Sequence, residues 1–101
     1  MTYSRGYYVS SPAKDGRQKK NWVCQNNAGE LALADWSYGM TFYPTLEEAE
    51  LKGAQAQAQW PNRIFRIDKD VNNIYVERVK YIGKAADKPT DWVAVPNVLT
   101  F

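Results

Sequence analysis

The stretch YPTLEEAELKGAQAQAQWPN, Tyr43 to Asn62, is punctuated at both ends and limits what the rest of the chain can do. Thr45 is followed three residues later by Glu48, the capping-box spacing in which each side chain satisfies a free backbone N–H of the other residue. Glu47, Glu48 and Glu50 sit in the first turns, where the helix dipole favours negative charge, and Glu48 with Lys52 adds an i,i+4 pair. Pro61 forces Trp60 out of helical geometry. The segment is therefore a helix over about residues 45–60, about 22 Å long.

On that helix Leu46, Ala49, Gly53, Ala56 and Trp60 share one stripe, with large residues at its ends and small ones between. Small side chains let a helix sit close on a twisted sheet, so the sheet must supply the bulk that the helix lacks. Leu51, Ala54 and Ala58 fall on a second stripe, which one helix on one sheet cannot also bury. Two readings of that stripe stand open. Alanine is the best helix former and fills surface positions at no cost; alternatively the stripe is a shallow outward groove for a partner or a second copy.

Around the helix the chain reads as strands. TYSRGYYVSS and KNWVCQNN, joined by PAKDGRQKK with its Asp15-Gly16 turn signal, form a hairpin with a long basic tip. AGELALADWSYGMTFYP has apolar residues without clear period and holds one short strand near Trp36 to Tyr43. RIFRI and NIYVERVKYI form a second hairpin about the turn formers DKDVNN, and Trp92 to Val95 adds an edge strand before Pro96. The predicted fold is α+β, an antiparallel sheet of four to six strands with one helix on one face. At 101 residues the chain is expected to be a single domain.

Composition narrows the function. The single cysteine, Cys24, has no partner within the chain, and the start MTYSRGYYVS lacks the apolar run of a signal peptide, so a cytosolic protein is expected. No window approaches the roughly 20 apolar residues that span a bilayer. Histidine is absent, which removes the commonest general base and metal ligand. Cys24 in the strand-like NWVCQ reads as a small buried hydrophobe rather than a nucleophile. DKDVNNIYVERV starts like a calcium loop, with Asp68, Asp70 and Asn72 at alternate positions. It then has Asn73 where glycine is needed and Val79 where the bidentate glutamate belongs. No catalytic residue, metal site or cofactor is expected.

What remains is a surplus of aromatics, 14% of the chain with four tryptophans. Trp and Tyr are usual anchors of protein interfaces. Trp36, Tyr38 and Trp92, in irregular segments, are the candidate anchors for a protein partner, with Leu51 and Ala58 as a second patch. The leading expectation is a non-enzymatic module that docks on another protein. The alternative is nucleic acid: Lys14, Arg17, Lys19 and Lys20 precede Trp22, with Tyr3, Tyr7 and Tyr8 on the neighbouring strand. Single strands stack their bases on such rings while basic side chains take the phosphates. The net charge of only +2 argues for a weak field.

From Phe42 to Asp68, FYPTLEEAELKGAQAQAQWPNRIFRID, the layout resembles that of many small phage-encoded proteins: a strand ending in an aromatic, a TLEEA helix start, Trp near the helix end, then a strand. It is similar in this respect to the small inhibitors of bacterial RNA polymerase made by T7-type phages. The resemblance covers about a quarter of the chain, rests mostly on helix-capping residues, and carries over no functional residue. It implies a class, proteins that act by binding a host macromolecule.

Overall fold

The helix forms where its punctuation places it. In the computed structural model, which describes residues 6–12, 21–35, 40–71, 75–86 and 95–96, α1 runs Leu46–Gln59. Thr45 stays extended, and its hydroxyl accepts from the Glu48 N–H at 3.2 Å. At the far end Trp60 leaves helical geometry (φ −126°, ψ 74°), and its N–H closes on the Ala56 carbonyl at 2.8 Å. Among the described residues the helix's ion pair is Glu50 with Lys80, 3.3 Å apart, rather than the expected Glu48 with Lys52. This described helix is too short and too polar to cross a membrane.

Six antiparallel strands form one sheet: β1 (Gly6–Ser10), β2 (Trp22–Gln25), β3 (Leu31–Ala34), β4 (Phe65–Val71), β5 (Tyr75–Ile82) and β6 (Val95–Pro96), in spatial order β3-β2-β1-β4-β5-β6. α1 lies across β4, β1 and β5. The expected α+β architecture is present, with three differences in detail. The third strand is LALA at 31–34, which pairs fully with β2 from Trp22↔Ala34 to Gln25↔Leu31. Leucine and alanine are helix formers by propensity, and only the partner strand makes this run extended. Of the expected strand from Trp36 to Tyr43, residues 36–39 lie outside the described residues. Its end instead bridges the two strands of the first hairpin: Thr41 bonds β2, through its N–H to the Val23 carbonyl (3.2 Å) and its hydroxyl to the Gln25 N–H (2.8 Å), while Tyr43 exchanges both backbone bonds with Tyr7 of β1. β1 and β2 pair through Ser10↔Trp22. The third difference is that Asp68 and Asp70 belong to β4 and not to a turn. The edge strand is seen at Val95–Pro96, against Val76 and Tyr75; Trp92 to Ala94 lie outside the described residues.

The helix-side core shows why α1 is made of small residues. Ala49, Gly53 and Ala56 are buried, while Leu46 and Trp60 are partly buried at the two ends. Bulk comes from the sheet: Val9, Val23, Leu31, Tyr43, Phe65, Ile67 and Ile82. A methyl group on Gly53 would run into Cδ1 of Ile82. Close approach recurs at Gly6, whose φ of 103° and proximity to the Tyr43 carbonyl leave no room for a side chain where Tyr43 meets β1. Gln57 ties the end of the helix to its surroundings. Its amide donates to the Arg63 carbonyl at 2.9 Å and accepts from the Lys84 N–H at 3.1 Å, in the short 3-10 turn after β5. Tyr43 is clamped likewise: its hydroxyl donates to the Gln25 Oε1 at 2.8 Å, and burial pushes it up to about 12.

Candidate functional site

Alternation along β1 and β4 sends one set of side chains to the helix and the other to the opposite face of the sheet. Tyr7 and Val9, Phe65 and Ile67 face α1. Tyr8, Ser10, Arg66, Asp68 and Asp70 take the other face. The register aligns them in rows, with Trp22, Ser10, Arg66 and Tyr81 side by side across β2, β1, β4 and β5, and Tyr8, Asp68 and Arg78 in the next. A bulge in β5, at Val79, lets Asp68 oppose Arg78 while Ile67 opposes Lys80.

This second face is partly apolar and partly charged. Tyr8, Met40 and Val76 are buried together, with Trp22 and Phe42 packed against them. Tyr8 meets Phe42 edge to face, with ring centroids 5.8 Å apart. Beside this cluster Asp68 is only 2% exposed. Arg66 Nε reaches the Asp68 Oδ2 at 3.4 Å and donates to the Ser10 hydroxyl at 3.3 Å. The Tyr8 hydroxyl also donates to the Asp68 carboxylate. The other oxygen, Asp68 Oδ1, is buried and has no hydrogen-bond partner among the described residues. Burying a carboxylate disfavours its charged form. Burial is the larger influence and lifts the Asp68 carboxyl above its ordinary 3.8, against the pull of Arg66, Arg78 and the Tyr8 hydroxyl. Burial and the nearby Asp68 hold the Tyr8 phenol protonated well beyond its usual range.

The sign of the pH dependence follows. With its pKa raised in the fold, Asp68 binds a proton more tightly folded than unfolded, so its contribution to stability falls as pH rises from about 3.8 through the folded value. Asp68→Asn removes this titration. Urea melts from pH 3.5 to 7 should therefore show the wild type losing stability relative to the variant as pH rises; a constant or opposite difference would contradict the assignment.

Between these rows opens a cavity of about 120 Å³, lined by Tyr8, Ser10, Ser11, Pro12, Asn21, Trp22, Arg66 and Asp68. Its lining includes Ser10 and Ser11 at the end of β1 and Asn21 and Trp22 at the start of β2, where the Ser11 N–H donates to the Asn21 carbonyl. Pro12 and Asn21 flank residues 13–20, the segment that carries Lys14, Arg17, Lys19 and Lys20 against Asp15. Those four basic residues lie outside the described residues.

Of the expected basic-aromatic set, Trp22, Tyr7 and Tyr8 lie among the described residues, and Trp22 forms part of the cavity wall. Tyr8 joins it. Tyr7 does not: it faces the helix side, with the Lys69 ammonium 5.4 Å from its ring centre. The expected protein-docking anchors Trp36, Tyr38 and Trp92 lie outside the described residues. Leu51 is 58% exposed, with Ala54 and Ala58 also exposed, so the second helix stripe points away from the sheet. Cys24 is a free, partly exposed thiol in β2, less buried than its strand setting suggests. Sequence reasoning missed Ser10, Arg66 and Asp68 as site residues. For Arg66 and Asp68 the signal that could have found them was the alternation in FRIDKD, where a polar residue follows each apolar one.

Comparison with protein-family models, with characterised proteins and with solved structures finds no match to this chain.

Proposed function

We propose that this protein is a non-enzymatic binding domain for single-stranded nucleic acid that uses the face of its sheet opposite α1. One observation carries the reading: the two residues flanking the basic segment, Pro12 and Asn21, are themselves walls of a cavity built from Trp22, Tyr8 and polar side chains. Rings for bases and cations for phosphates are the two parts that single-strand binding needs, and the sequence sets Lys14, Arg17, Lys19 and Lys20 directly before Trp22. The lone cysteine supports a cytosolic setting.

Fluorescence anisotropy with a labelled single-stranded oligonucleotide at several salt concentrations tests this reading. Affinity should fall linearly on a log–log plot, and neutralising Lys19 and Lys20 together should flatten the slope by about 1.4, at roughly 0.7 for each phosphate that no longer meets a cation. Binding indifferent to salt and to both substitutions would reject it.

A second reading, docking on a protein partner in the manner of a phage-encoded inhibitor, is favoured by the outward stripe of Leu51, Ala54 and Ala58. A lone exposed leucine is ordinary on a protein surface, which ranks this reading second. It predicts a partner whose binding is abolished by Leu51→Arg and unaffected by neutralising the basic segment.

A further inference from the structure

The cavity at the β1–β2 corner has a size and an arrangement of groups that nucleic-acid binding in general does not require. General single-strand binding is satisfied by exposed rings and a basic track. Here the rings of Tyr8 and Trp22 stand at a recess whose wall includes a carboxylate only 2% exposed. A cavity of roughly 150 Å³ accommodates a benzene ring in another protein, so about 120 Å³ with an open mouth is on the scale of one six-membered ring. A fused purine would leave one of its rings outside.

The polar groups add a direction. Asp68 is an acceptor with spare capacity on Oδ1, and the Arg66 guanidinium beside it, 3.4 Å from Oδ2, is a donor. A pyrimidine is joined to its sugar at N1. Its 4-substituent therefore lies across the ring from the backbone and leads when the base enters a pocket. In cytosine that group is an amine, a donor that suits a carboxylate; in uracil and thymine it is an oxygen, which the carboxylate repels. The acceptors N3 and O2 of cytosine follow it and match the guanidinium.

We infer that the cavity lined by Tyr8, Trp22, Arg66 and Asp68 is a socket for one unstacked cytosine of a single strand, with the 4-amino group directed to Asp68. This rests on the nucleic-acid reading above and goes beyond it by naming the base. Bases splayed from a single strand are commonly read in this way, by stacking and by hydrogen bonds to their edges.

The test measures the full chain against fluorescein-labelled dC12, dT12 and dA12 at low salt. dC12 should bind about tenfold tighter than either, the scale of one discriminating base contact. Asp68→Asn replaces the acceptor by an amide that can also donate to the oxygen of thymine, so the preference of dC12 over dT12 should fall to about twofold or less. Trp22→Ala should weaken all three together. Equal binding of the three oligonucleotides by the wild type, which needs no variant to fold, overturns the socket and leaves the general reading standing. No binding of any of them at low salt overturns both.

Discussion

Replacing Phe65 by alanine should remove about 3–5 kcal/mol of stability, the largest loss expected of any single truncation in this core. Phe65 is fully buried on the helix side of β4, opposite Ile82 in the register, with its ring 6.2 Å from that of Trp60. The helix above it presents Ala49, Gly53 and Ala56, which have no side-chain length with which to collapse into the space. Losses for this truncation run about 3–5 kcal/mol, and the rigid surroundings place this site toward the upper end. Domains of this size hold only about 5–15 kcal/mol in all. Urea titration followed by Trp fluorescence should show the midpoint falling by that loss divided by the slope, with the slope unchanged; a loss below about 1 kcal/mol would mean that the sheet does not carry the core.

The second large effect is at Gly53, and it reverses the usual rule that glycine weakens a helix by about 1 kcal/mol relative to alanine. A side chain here meets the buried Ile82, so Gly53→Leu forces the helix off the sheet and should cost about 3 kcal/mol. For a domain of this size that is a fall in Tm of roughly 12–24 °C. Because the obstruction is one side chain, Ile82→Ala in the same background should restore part of the loss, although Ile82→Ala alone is destabilising. The double-mutant cycle by thermal melts checks this coupling. Simple addition of the two losses would show that the helix stripe is not in contact with Ile82.

Both effects stem from a feature legible in the sequence. Thr45 and Pro61 fix the ends of the helix by local chemistry, and the stripe from Leu46 to Trp60 follows from one period, so neither needs knowledge of the partner strands. LALA at 31–34 is different, because alanine and leucine become a strand only through their pairing with β2. Asp68 and Asp70 are different again. Aspartates beside Asn72 and Asn73 read as a turn, yet β4 continues through them, since Arg66, Arg78 and the Tyr8 hydroxyl surround the Asp68 carboxylate on the second face. Arg78, ten residues further along the chain, comes opposite Asp68 through a bulge that no local pattern encodes. The candidate site was half visible for the same reason. Trp22 and its basic neighbours are close in sequence, whereas Tyr8, Ser10, Arg66 and Asp68 come to Trp22 only when β1 pairs with β2 and β4.

The binding face itself is the central claim, and amide chemical-shift mapping locates it directly. Adding unlabelled dC12 to ¹⁵N-labelled protein should move the resonances of Tyr8, Ser10, Ser11, Asn21, Trp22, Arg66 and Asp68, and leave the outward helix positions Leu51, Ala54 and Ala58 in place. Shifts centred on those helix positions, with the cavity residues unmoved, would contradict the assignment of nucleic-acid binding to the face opposite α1.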